Sequence, residues 1–158
     1  MELKFEVRVK VARPRAEVFD ALYNPAKLSR YFATGGASGP LDQGARVVWK
    51  FADFPGEAPA FVKSATPGER IVLEWAARDY EQPLGDSLPP PVEYATTVEM
   101  NFESLAPQST LVRIAESGWR PTQGGLNSSY GNCQGWMNWA CCLKAWVEYG
   151  INLREGFF

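Results

Sequence analysis

The chain has 158 residues, 46% of them hydrophobic and 13% aromatic, enough for one compact domain that buries about 70% of its unfolded surface without a disulfide or metal staple. Sixteen Lys and Arg against eighteen Asp and Glu leave a formal charge of -2, which provides no electrostatic footprint for nucleic acid or an anionic membrane. The sequence contains no His, so the usual general base and the commonest ligand of zinc, copper and non-haem iron are missing, and neither a metal nor another cofactor is expected.

The opening MELKFEVRVK is charged from its second residue and offers no apolar stretch for a signal peptide. No later run approaches the roughly twenty apolar residues that a bilayer requires, so a cytoplasmic protein without membrane insertion is expected. Leu3, Phe5, Val7, Val9 and Val11 alternate with charged residues, the pattern of a half-buried strand. After Arg13-Pro14 the period becomes helical: Val18, Phe19 and Leu22 share a face, and Pro14 suits a first turn. Asn24-Pro25 ends that helix and can cap a second short one carrying Leu28, Tyr31 and Phe32.

GGASGPLDQG, at 35–44, is turn-rich, and Val47, Trp49 and Phe51 alternate beyond it. ADFPGEAP reads as another turn, before a less regular strand near Ala60 to Ala65. Pro67-Gly68 then turns the chain into Ile71, Leu73, Trp75 and Ala77. The short connections imply an antiparallel meander. From Tyr80 to Glu93 the run YEQPLGDSLPPPVE has no period and three consecutive prolines, which favours a long extended loop. Thr96, Val98, Met100 and Phe102 mark a further strand and Thr110 to Glu116 another. The last element, about Asn127 to Arg154, is a long amphipathic helix. Trp136, Trp139, Ala140, Leu143, Trp146, Val147 and Gly150 fall within an arc of roughly 140°. Asn127, Ser128 or Ser129 is its expected start cap, with Gly156 just past its end.

Five segments, VARPRAEVFDALYNPAKLSRYF, LDQGARVVWKF, GERIVLEW, TLVRIAESGW and GNCQGWMNWACCLKAWVEYG, occur in an order that resembles the START-like (SRPBCC) superfamily. Within it they are most similar to the branch of activators of the heat-shock chaperone ATPase, the AHSA type. The resemblance implies an α+β helix-grip fold as a single domain over 1–158. In that fold a curved antiparallel sheet of six to seven strands wraps a long C-terminal helix, and two short helices follow the first strand. It also implies an apolar cavity between sheet and helix for a hydrophobic small molecule, lipid-like or polyketide-like. The second role it implies is contact with a chaperone ATPase in a stress response. A homodimer is compatible with such a domain, although no heptad or self-complementary surface is legible.

Trp49, Phe51, Trp75, Met100, Trp119, Trp136, Trp139 and Leu143 are the candidate cavity wall, by inward parity or by position at its mouth. Each of them either lines a ligand space or simply fills the core. Glu116 shares the inner face with Thr110, Val112 and Ile114. Its carboxylate either binds a ligand or acts as a base, or else turns to water or pairs with a Lys or Arg. Arg113 and Lys63 are read as solvent-facing sheet charges. The Pro-rich loop and the glycines of GWRPTQGGLN are expected at the cavity entrance. Cys133, Cys141 and Cys142 lack zinc-ligand spacing and are read as reduced packing residues. The leading expectation is a non-catalytic binding protein. A protein-interaction module comes second, and a cyclase or hydrolase working through Glu116 or Asp53 comes third, because no triad can be assembled.

Overall fold

A computed structural model describes residues 1–79 and 93–158. The alternating N-terminal stretch becomes β1 (Leu3–Val11), followed by α1 (Arg15–Tyr23) and α2 (Pro25–Tyr31). Pro14, which has no N–H to lose, starts α1 by accepting from the Val18 N–H with its carbonyl at 3.1 Å. The Asn24 side chain accepts from the Ala26 N–H at 3.0 Å and so caps α2, whose first residue is Pro25. Then come β2 (Gly36–Ala37), β3 (Arg46–Phe51), β4 (Phe54–Thr66), β5 (Arg70–Arg78), β6 (Glu93–Ala106), β7 (Ser109–Trp119) and α3 (Gln123–Tyr149).

The strands form one curved, open antiparallel sheet in the order β1-β7-β6-β5-β4-β3-β2. Five of its neighbouring pairs join strands consecutive in sequence, whereas β1 lies beside β7, with Val7 opposite Ile114 and Val11 opposite Thr110. Thr110 fixes that junction by donating to the Arg13 carbonyl at 2.8 Å. The apolar face of α3 packs most extensively against β1 and also reaches β5, β7 and both short helices. Val11, Leu22, Tyr31, Trp49, Met100, Trp139 and Leu143 are among the side chains buried between these layers.

Three boundaries differ from the sequence expectation. The stretch ADFPGEAP is not a turn as a whole: only Ala52 and Asp53 turn, and β4 runs from Phe54. Up to Pro59 that strand pairs with β3 alone, and β5 joins only at Ala60. Pro55 and Pro59 therefore sit on a local edge, where a strand tolerates a missing N–H. A register shift between Val62 and Ser64 explains the blurred alternation around Lys63. Helix α3 begins before Asn127 and ends before Arg154. The Thr122 hydroxyl caps it by accepting from the Gly125 N–H at 3.0 Å, and Gly150 ends it in the left-handed region at φ 69°. The glycines that read as a loop are a close approach inside the first turn, since a Cβ on Gly125 would lie 2.1 Å from the Arg120 carbonyl oxygen. The Pro-rich run, apart from Glu93, and the entrance expected there lie outside the described residues.

On the outer face, charges pair across strands. Lys63 meets Glu74 at 2.8 Å, Arg70 meets Glu99 at 2.9 Å and Arg113 meets Glu103 at 3.0 Å, so Lys63 and Arg113 do face solvent. None of the helices among the described residues is long and apolar enough to cross a membrane.

Candidate functional site

Glu116 occupies the inward parity of β7 and is 0% exposed. Trp75 and Thr96 form a cross-strand pair between β5 and β6, and β6 sets Val98 opposite Glu116, so Thr96 lies diagonal to the carboxylate. From the other layer, α3 presents Asn132 and Trp136, one turn apart on the same face. Glu116 Oε1 accepts from Trp75 Nε1 at 2.9 Å, from Thr96 Oγ1 at 2.6 Å and from Asn132 Nδ2 at 3.1 Å. Its Oε2 accepts from Trp136 Nε1 at 2.9 Å and from Asn132 Nδ2 at 3.2 Å. An ionised carboxylate only accepts and an indole N–H only donates, so the groups are matched in kind. Among the described residues no Lys or Arg reaches this carboxylate, and it does not turn to water.

Four of the five tryptophans predicted to line the site, Trp49, Trp75, Trp136 and Trp139, form one cluster of rings beside it. Ring centroids of Trp75 and Trp136 are 5.3 Å apart, those of Trp49 and Trp75 6.2 Å, and those of Trp136 and Trp139 6.1 Å. Met100 and Leu143 are fully buried in the same apolar cluster. Phe51 joins only at one end, through Phe32, whose ring is 5.1 Å from Phe51 and 6.3 Å from Trp49. Trp119 stands apart: Gly118, at φ 98°, is an extra residue in the β1–β7 register, and Trp119, opposite Leu3 at the end of β7, is buried outside the main cluster. Trp49 Nε1 is buried with no hydrogen-bond partner among the described residues, whereas Trp75 and Asn132, both half-buried, mark where the cluster meets solvent.

Asn132 and Thr96 were missed as site residues. Both are polar residues at inward positions of strongly periodic elements, one turn before Trp136 and two residues before Val98, and that mismatch was the available signal. Arg154 gave no signal, because its partner is 101 residues away. The guanidinium, on a residue 8% exposed, donates from Nε and Nη2 to the two oxygens of Asp53, each at 3.0 Å, and from Nη1 to Asn138 Oδ1 at 3.3 Å. It also lies over the rings of Phe51 at 4.7 Å and Phe32 at 5.0 Å. The Asp53 carboxylate, weighed as a catalytic group, is thus engaged by a cation. Beside this cluster, burial pushes the Cys142 thiol up to about 11.

Open grooves among the described residues include two away from this cluster. One of about 500 Å³ lies between the short helices and the end of α3, at Lys27, Arg30 and Trp146, and one of about 320 Å³ lies near Leu3 and Leu126. Neither is lined by any of the nine candidate residues.

The sheet order, the two short helices after β1 and the long closing helix define a START-like α+β domain. Residues 12–148 match the family described as Activator of Hsp90 ATPase homolog 1-like protein, and the chain belongs to that family. No curated protein matches it in sequence. Among solved structures it is similar to SSP2350 from Staphylococcus saprophyticus, with 20% identity, TM-score 0.74 and 96% of each chain covered. It also resembles DynU16, a protein of the dynemicin biosynthetic locus, at 20% identity and TM-score 0.71, over 94% of this chain and 48% of that one. PFC0360w, an Hsp90 activator from Plasmodium falciparum, is similar at 19% identity and TM-score 0.66, over 94% of this chain and 96% of that one.

Proposed function

We propose that this protein binds a hydrophobic, ring-bearing small molecule, lipid-like or polyketide-like, against the Trp49, Trp75 and Trp136 wall and does so without catalysis. The observation that carries this reading is a fully buried carboxylate set into an aromatic wall, with two of its donors, Trp75 and Asn132, at the solvent edge. A ligand entering there meets π-faces for stacking, and by displacing the Asn132 amide it finds a strong acceptor in Glu116. The unpaired Trp49 N–H offers a donor to a carbonyl or ether of the same ligand. Met100, Trp139 and Leu143 form the deeper wall and Phe51 a flank, while Trp119, beside Leu3, stands outside it.

Native mass spectrometry of gently purified protein, repeated under denaturing conditions, tests whether a discrete small molecule travels with the chain. In a titration with 1-naphthol followed by tryptophan fluorescence, Trp75→Ala is expected to weaken binding about tenfold, the effect of about 1.4 kcal/mol of lost stacking. Lys63→Ala, on the outer face, should leave it unchanged. A clean apo mass together with equal titrations for Trp75→Ala and wild type would sink the reading.

The second reading, a chaperone-ATPase-regulating module, is supported by the family's own description and by the activator from P. falciparum. An Hsp90 ATPase rate that does not change on adding a stoichiometric excess of this protein would remove it.

A further inference from the structure

The segment after Gly150 is held by one side chain. Ile151, Leu153, Phe157 and Phe158 on it are 53%, 38%, 48% and 65% exposed, so little apolar burial holds it down. Ile151 N–H still bonds to the Ala145 carbonyl at 3.2 Å, but among the described residues every hydrogen bond from 152–158 to the rest of the molecule comes from Arg154.

Apart from Phe158, whose ring lies 5.4 Å from the guanidinium, the receptor for that side chain is assembled without help from the segment. Asp53 comes from the β3–β4 turn, Phe51 from the end of β3, Phe32 from the end of α2 and Asn138 from α3. Together they supply what a planar guanidinium requires: a carboxylate taken bidentately along one edge, an amide oxygen for the remaining nitrogen, and two aromatic rings over its surface. An ammonium cannot use that geometry. Asn138, 4% exposed, also keeps its Nδ2 buried without a partner, so a guanidinium compound with an adjacent acceptor oxygen would gain a bond that Arg154 does not make.

We propose that Phe32, Phe51, Asp53 and Asn138 form a binding site for an alkylguanidinium group, filled in cis by Arg154, and that a guanidinium ligand from outside competes for it and releases the segment after α3. This site is independent of the Glu116 wall and stands whether or not that wall binds a ligand. Arg154→Ala vacates it. Ethylguanidinium should then raise the melting temperature saturably, by about 3 to 6 °C at ten times its dissociation constant, relative to ethylammonium at the same concentration. Asp53→Asn in the same background should abolish the difference. Arg154→Lys, which keeps the charge and stem but lacks the fork, carries the same comparison should Arg154→Ala not fold. In the wild type, ethylguanidinium should speed amide exchange over residues 151–158 while exchange in β5 to β7 stays unchanged. Equal melting shifts for the two cations, a shift that survives Asp53→Asn, or unaltered exchange over 151–158 would each overturn the proposal.

Discussion

At the scale of single residues, Glu116 sets the chemistry of the interior. Both of its oxygens face indole N–H groups, so Glu116→Gln places an amide NH2 against a donor whichever way the amide is turned, at Trp75 or at Trp136. Leaving that buried donor unpaired costs about 1–3 kcal/mol, and Glu116→Leu, which strands every donor, should cost more. Urea midpoints of the two variants test the order. A Glu116→Gln midpoint equal to the wild type would mean that the network carries no stability. Cys142 gives a second residue-level expectation. With its thiol pushed up to about 11 by burial, only about a thousandth of it is thiolate at pH 8, against a far larger fraction for an ordinary cysteine. It should resist iodoacetamide in the native protein and react once urea has unfolded the chain. Rapid native labelling at Cys142, located by peptide mapping, would contradict the burial.

At the scale of elements, the end of α3 is clamped to the end of β1. The Glu148 side chain accepts from the Ala12 N–H at 2.9 Å, the Glu148 carbonyl accepts from Arg13 at 2.9 Å, and Lys144 bridges Glu148 and the Lys10 carbonyl. Burial alone would raise the Glu148 carboxyl. The hydrogen bonds from Lys144 and Ala12, with the Lys144 and Arg13 charges, outweigh it and hold the group below its ordinary value. A carboxyl held low in the fold contributes stability that is complete above the unfolded-state value of about 4.3 and is lost as pH falls through the folded value. Glu148→Gln should therefore lose less stability than wild type between about pH 6 and pH 3, as urea midpoints across that range would show. Parallel profiles would refute the clamp. The same helix shows where elements were legible. Its inward arc of Trp136, Trp139 and Leu143 was plain from the period, but its first turn was hidden, because Gly124 and Gly125 read as loop until the Arg120 carbonyl against Gly125 is seen. The first residues of β4 were hidden likewise, since prolines argue against a strand unless its pairing on one side is known to be missing.

At the scale of the whole molecule, what could be read from sequence was periodicity and order, and these were enough for an antiparallel sheet closed by a long helix. Pairings between distant segments could not be read: Asp53 with Arg154, Asn132 with Glu116, and β1 with β7 all depend on which elements the fold brings together. The tryptophan wall depends on the same long-range assembly, because Trp49 belongs to β3, Trp75 to β5, and Trp136 and Trp139 to α3. No local segment can build it. β1, which α3 covers, must also find β7 across most of the chain before the sheet is complete. Such non-local topology predicts folding on a millisecond-to-second scale, with the wall forming together with the sheet. Equilibrium urea unfolding followed by tryptophan fluorescence and by far-ultraviolet circular dichroism should therefore give one coincident transition. If fluorescence instead changed at distinctly lower urea while the backbone signal held, the wall would open as a unit of its own, and cooperative assembly of sheet and wall would be wrong.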